Sequence, residues 1–145
     1  MLLEELLEKY AKASYDEKRE AMRLADAQKA FNDLQKEMLK AGYKEQEVKA
    51  FVYSLVRLAS GADHEADKEE YHLFVAATGF ELSEGEFYGL VKHCFDAEFV
   101  DSVDQIVDSL APAAKDAALR FVACFLVADR EISKVEKNVF KKLEA

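Results

Sequence analysis

The sequence predicts an all-α, single-domain helical bundle of about seven to eight helices. Apolar residues recur at the helical period along almost the whole chain, and no segment shows the sustained alternation or the Asn-Gly turns typical of strands. The 145 residues include only one proline and five glycines, so helix-breaking positions are few. A chain of this length normally forms one domain and can bury a substantial core.

Composition excludes several protein classes. Hydrophobic residues make up 50% of the chain, which is too much for a disordered protein, and the two cysteines, Cys94 and Cys124, are too few for a disulfide scaffold. The formal net charge of −9 repels phosphate, so we expect no nucleic-acid partner. We also expect no membrane span and a cytoplasmic location, because no stretch has 18 uninterrupted apolar residues and the amino terminus lacks the basic region of a secretory signal.

The first two predicted helices, Leu2–Ala13 and Asp16–Lys40, are amphipathic. The first has an apolar face that includes Tyr10 and an acidic opposite face, so we expect it to pack on the domain rather than on a membrane surface. The second ends at Gly42, and its apolar positions follow the helical period: Met22, Ala25, Ala27, Phe31, Leu34 and Met38.

The next three helices are delimited by glycine and by cap residues. A third helix over Glu45–Ser60 is predicted by one apolar face, and Gly61 is expected just beyond its end. A fourth helix begins near Asp67 and ends before Gly79. A fifth runs from Ser83 to about residue 96.

Three further helices complete the chain. The sixth carries Val103, Ile106, Val107 and Leu110 on one face. The seventh follows Pro112, a residue suited to a first helical turn, and runs over 113–128, and the eighth runs from Ser133 to about Leu143. Aromatic residues at helical spacing are assigned to the core: Phe80, Phe87, Tyr88, Phe95, Phe99, Phe121, Phe125 and Phe140.

Three of these helix starts carry a capping-box pattern. The pattern places a cap residue three positions before a glutamate, in the pairs Asp67 and Glu70, Ser83 and Glu86, and Ser133 and Glu136. The cap oxygen can accept the third amide of the helix while the glutamate reaches back to the cap amide. These three boundaries are therefore the best-defined local features of the sequence.

Two of the capped segments belong to an internal repeat. Residues 62–74 and 128–140 align with six identical positions out of thirteen, and each copy follows an apolar helix and opens another one. The shared pattern is Ala-Asp-x-Glu, a cap residue and then a glutamate at the third helical position. The repeat thus predicts two helix–loop–helix units with acidic loops, which are too few copies for a solenoid.

The repeated Ala-Asp-x-Glu-x-[Asp/Ser]-x-x-Glu pattern after apolar helices resembles the TerB-like family associated with tellurite resistance. The resemblance covers about residues 45–145, so residues 1–44 are interpreted as an N-terminal helical extension packed on the core. It implies a helical bundle with two pseudo-symmetric helix–loop–helix halves, a cytoplasmic stress-response setting, a metal-binding acidic site and no enzymatic activity. The family's loop usually carries glycine where this chain has His64 and Arg130.

The acidic residues of the repeat support two interpretations. In the first, oxygen donors from both loops face one another and bind Ca²⁺, Mg²⁺ or Mn²⁺; the candidate ligands are Asp63, Glu65, Glu70, Asp129, Glu131 and Glu136. In the second, the glutamates only cap helices and the loop carboxylates are solvated. Arg130 adds a fixed cation that can occupy the place of a metal. An EF-hand is excluded, because a loop that starts at Asp63 would place Phe74 where the bidentate glutamate belongs.

Other catalytic chemistry finds little support in the sequence. His93 and Cys94 are neighbours on a predicted helix and point apart, so they do not form a nucleophile–base pair. No zinc-ligand spacing, Walker loop or nucleophile elbow is present, and the two cysteines are expected to be buried, inert thiols.

Taken together, these features predict a non-enzymatic helical binding module that binds a divalent cation in a tellurite or metal stress response and has a protein partner of unknown identity. The first alternative is an acidic protein-interaction module without a metal. A weaker alternative is a metal-dependent hydrolase.

Overall fold

The computed structural model describes residues 2–12, 16–61, 68–92, 97–126 and 134–144. Within these ranges the chain forms helices and no strand, which confirms the predicted all-α bundle. The eight helices are α1 Leu2–Ala11, α2 Asp16–Lys40, α3 Glu45–Gly61, α4 Lys68–Thr78, α5 Glu84–Lys92, α6 Ala97–Ser109, α7 Pro112–Leu126 and α8 Lys134–Glu144.

The helix boundaries agree with the sequence to within two residues wherever the structure describes them. The prediction for α2 is met at both ends, while α1 ends two residues early and α3 continues through Gly61 instead of ending before it. Pro112 is the first residue of α7, as expected for a residue whose missing amide hydrogen costs nothing in a first turn. The predicted continuations of α5 and α7 fall in residues 93–96 and 127–128, outside the described ranges.

The end of α2 shows why glycine is needed there. Gly42 has a φ of 102°, which a side chain rarely adopts. The amide of Tyr43 donates to the carbonyl of Met38 at 3.1 Å, and the amide of Gly42 donates to the carbonyl of Leu39 at 3.1 Å. This pair of bonds is a Schellman motif, which satisfies carbonyls at the helix end.

Helix α7 is the centre of the bundle. It contacts α1, α2, α3, α6 and α8, and residues 121–126 are all buried. Because residues 121–126 are apolar on every side of the helix, this half of α7 is stable only when other helices surround it. Its small residues, Ala117, Ala118 and Ala123, allow the neighbouring helices to approach closely.

The most extensive helix–helix contact is between α2 and α7, so α2 belongs to the core rather than to its periphery. Ala27, Leu34 and Met38 of α2 are buried with residues of the later helices in one continuous cluster. Ala25, one of the apolar positions of α2, is exposed, whereas the charged residue Arg23 is only 5% exposed. The division into an extension over 1–44 and a domain over 45–145 stays a prediction, but the two parts share this core.

Aromatic side chains fill the middle of the bundle. Phe74 is fully buried, and its ring lies 5.6 Å from Tyr53, 5.7 Å from Phe80, 5.7 Å from Phe87 and 6.5 Å from Phe125 between centroids. Of the eight aromatic residues assigned to the core, four are buried and three are partly buried against it: Phe87, Phe121, Phe125 and Phe140, then Phe80, Tyr88 and Phe99. Phe95 lies outside the described residues.

No helix in the described ranges is both long enough and apolar enough to cross a membrane.

Candidate functional site

The structure places one of the six predicted cation ligands in full. Glu70 lies at the third position of α4, and Glu136 lies at the third position of α8, where only its backbone is described. The other four predicted ligands lie outside the described residues: Asp63, Glu65, Asp129 and Glu131. The predicted cap residues Asp67 and Ser133 also lie outside them, as do His64 and Arg130, the residues at the position where the TerB-like loop usually has glycine. Of the six predicted ligands, the structure therefore describes the side-chain environment of Glu70 alone.

Glu70 is buried. Glu70 is 5% exposed, and in the described part of the chain it and Arg23 are the two buried charged residues. It stands three and four positions before the core residues Leu73 and Phe74, so the three residues lie on one face of α4. A carboxylate in this position loses its hydration and is retained only where hydrogen bonds or a positive charge compensate it.

Two of the other glutamates at a third helical position, Glu86 of α5 and Glu47 of α3, serve as helix caps. Glu86 accepts the amide of Ser83 at 3.2 Å, and its own amide donates to Ser83 Oγ at 3.1 Å. Glu47 accepts the amide of Lys44 at 3.0 Å. Both glutamates are exposed, and hydrogen bonds from Ser83 hold the pKa of the Glu86 carboxyl below its ordinary value. The capping box predicted at Ser83 is thereby confirmed.

The exposed caps show that a glutamate can cap a helix without being buried. Since the caps at Glu47 and Glu86 are made in water, reaching back to a cap amide does not require a glutamate to be buried. Glu70 has the same helical position and the opposite environment. Within the described ranges, no three histidine, cysteine or carboxylate side chains converge on one point.

A second polar cluster joins α1, α2 and α7. The ammonium of Lys9 lies 3.0 Å and 2.8 Å from the two carboxylate oxygens of Asp26, and the hydroxyl of Tyr10 donates to Asp26 Oδ2 at 2.8 Å. Tyr10 is 4% exposed and Cys124 of α7 is 1% exposed. The cluster fixes α1 to α2 through an ionic hydrogen bond at one end of the apolar contact made by Leu3 and Leu6.

Burial keeps both acidic protons of this cluster in place. Burial, and then the negative charge of Asp26, raises the pKa of the Cys124 thiol to about 12, an effect that the hydrogen bond with Tyr10 offsets only in part. The pKa of Tyr10 is raised by burial, by the proximity of Cys124 and by its bond to Asp26. A thiol with such a pKa is not a nucleophile at neutral pH, so Cys124 is inert, as expected. Cys94 and His93 lie outside the described residues.

Sequence reasoning missed this cluster. Asp26 stands between two alanines in a long charged helix, and Tyr10 and Cys124 look like members of apolar stripes. The three residues come together only when α1 and α2 pack on α7, across separations of 16 and 98 positions. The available signal was the polar group of Tyr10, which needs a partner when the residue is buried.

Comparisons with protein-family models, with curated proteins and with solved structures find no match for this chain.

Proposed function

We propose that the chain is a non-enzymatic helical binding module of the TerB-like type, which binds a divalent cation through its two acidic loops in a cytoplasmic response to tellurite or metal stress. The ligands proposed are the carboxylates of the repeated pattern, one group from 63–70 and one from 129–136. The burial of Glu70 is the observation that supports this proposal best.

The support comes from the contrast with the other glutamates at the third helical position. Glu47 and Glu86 cap their helices while exposed, so the sequence pattern alone does not account for a buried carboxylate at Glu70. A cation held by several carboxylates offsets the lost hydration of such a group. The oxygen donors of the repeat favour the hard ions Ca²⁺, Mg²⁺ and Mn²⁺ over soft metals, which prefer thiolates.

The proposal is tested by melting the protein with each ion. At an ion concentration about 100-fold above the dissociation constant, binding adds about 2.7 kcal/mol to the free energy of unfolding. For a chain of this size that raises the melting temperature by roughly 5–10 °C. Glu70→Gln removes the charge and keeps a side chain that can still reach a cap amide, so we expect it to lose most of the ion-dependent rise.

Glu86→Gln is the matched control, because it makes the same change at the same position of an exposed capping box. It should keep the full ion-dependent rise. The proposal is wrong if the wild type shows no rise with any of the three ions at millimolar concentration, or if both variants respond as the wild type does.

The second candidate function is an acidic protein-interaction module without a metal. The net charge of −9 favours it, since a surface of this sign attracts a basic partner and speeds its association. If no ion raises the melting temperature, this second function becomes the preferred explanation of the repeated carboxylates.

A further inference from the structure

A cleft of about 520 Å³ opens between α1, α2 and α7. Its size lies within the range of small-molecule binding sites. The apolar part of its lining consists of Leu2, Leu6 and Ala30, with the buried thiol of Cys124 beside them. Part of the cleft lining is therefore aliphatic.

Charged residues surround this apolar surface in a regular way. Each of the three helices contributes an acidic and a basic residue four positions apart, so that both side chains lie on the same helical face. The pairs are Glu5 and Lys9 on α1, Lys29 and Asp33 on α2, and Asp116 and Arg120 on α7. Asp26 adds a seventh charge.

Some of these charges already have partners. Lys9 and Asp26 neutralise each other at 2.8 Å, with Tyr10 as a third member. Arg120 donates its Nε hydrogen to Asp116 at 2.8 Å, which leaves the two terminal nitrogens of the guanidinium for another acceptor.

Three of the charged residues that line the cleft, Lys29, Asp33 and Glu5, are exposed, and the described part of the chain gives them no hydrogen bond or ion pair. The negative charge of Glu5 also acts on the Arg120 guanidinium. Apart from the Lys9–Asp26 pair, a ligand in the cleft thus meets two positive groups, on Lys29 and Arg120, and the carboxylates of Glu5 and Asp33, while Asp116 is held by its bond to Arg120.

We propose that this cleft binds a free basic α-amino acid, of the lysine, ornithine or arginine class. Such a molecule carries one carboxylate, which matches the cations of Lys29 and Arg120, and two cationic groups, which match the carboxylates of Glu5 and Asp33. Its carboxylate is bound by Arg120 and Lys29, its cationic groups are bound by Glu5 and Asp33, and its methylene chain lies on the apolar surface. Asp116 holds the Arg120 guanidinium in position through the Nε bond.

Calorimetric titration of the full chain at low salt tests the ligand class, because exposed charges are screened at high ionic strength. The probes are L-lysine, cadaverine, which lacks the carboxylate, norleucine, which lacks the side-chain ammonium, and L-glutamate. We expect lysine to bind at least about tenfold more tightly than each of the others, since every lost ionic hydrogen bond weakens binding by this order.

Each other result overturns the proposal. If cadaverine binds as tightly as lysine, the cleft has no subsite for a carboxylate. If norleucine binds as tightly as lysine, the cleft has no subsite for the side-chain ammonium. Glutamate binding most tightly would contradict the charge complement. An absence of heat with lysine up to about 10 mM would exclude a specific site, because weaker binding is at the level of non-specific contacts.

Substitutions of cleft residues test whether lysine binds in this cleft. Lys29→Gln and Glu5→Gln should each weaken lysine binding about tenfold while leaving the melting temperature nearly unchanged, since both residues are exposed. The matched controls are Lys36→Gln on α2 and Glu8→Gln on α1, which lie outside the cleft lining and should bind lysine as the wild type does. Equal losses in variants and controls would contradict the site.

The experiment is independent of the proposed cation site. It contains no divalent ion, and Glu70→Gln should bind lysine normally, because Glu70 does not line this cleft.

Discussion

Raising the pH from 7 to 10 should destabilise the folded protein through the buried thiol of Cys124. The thiol is 1% exposed and lies where the charge of Asp26 opposes its ionisation, and together these raise its pKa from 9.0 to about 12. The folded protein therefore keeps the proton at pH 10, whereas the unfolded chain releases it. The stabilisation is fully present below pH 9 and is lost as the pH rises towards 12.

The magnitude follows from the two pKa values. One unit above the ordinary pKa, the unfolded thiol is about nine-tenths ionised, which favours unfolding by about 1.4 kcal/mol. For a chain of this length that lowers the melting temperature by roughly 3–6 °C. Ionisation of Tyr10, whose pKa is raised as well, acts in the same direction at still higher pH.

The assay is urea unfolding at pH 7 and at pH 10, with wild type and Cys124→Ala measured in parallel. The variant lacks the titrating group, so its free energy of unfolding should fall by about 1.4 kcal/mol less than that of the wild type over this interval. The difference between the two proteins cancels the contributions of all other groups, Tyr10 included. Parallel losses in both proteins would show that the thiol is not shielded as the packing of α1, α2 and α7 requires, and would refute the reasoning.

The remaining predictions concern single contacts and are all measured as free energies of unfolding from urea titration. Tyr10→Phe should destabilise by about 1.5 kcal/mol, because it removes a hydrogen bond to the charged Asp26; no loss would mean that this bond is not made. Ser83→Ala should cost about 1 kcal/mol through the lost cap of α5, and a neutral result would contradict the capping box. Gly89→Ala should stabilise by about 0.5–1 kcal/mol, since the position is helical and a Cβ meets nothing within 4 Å, whereas Gly79→Ala should destabilise by about 1 kcal/mol because its φ is 73°. The same sign for both glycines would contradict the backbone argument.

The predicted acidic site shows how far sequence reasoning reaches towards function. The repeat, the cap residues and the carboxylates are all visible in the sequence, because they occur within thirteen consecutive positions. The environment of each carboxylate is not visible. Glu70 and Glu86 occupy the same place in the same local pattern, yet one is buried and the other is exposed, because α4 packs on α2 and α5 leaves its first turn in water.

The sequence by itself determined the helices and most of their ends, because these depend on interactions between residues three to five positions apart. Apolar periodicity, the cap at Ser83 and the glycine at position 42 each act within one or two helical turns. Only the tertiary structure decided which polar groups meet. Tyr10, Asp26 and Cys124 are brought together by three helices distant in sequence, and the buried hydroxyl of Tyr10 and the buried thiol of Cys124 acquire their pKa values from neighbours that no local pattern specifies.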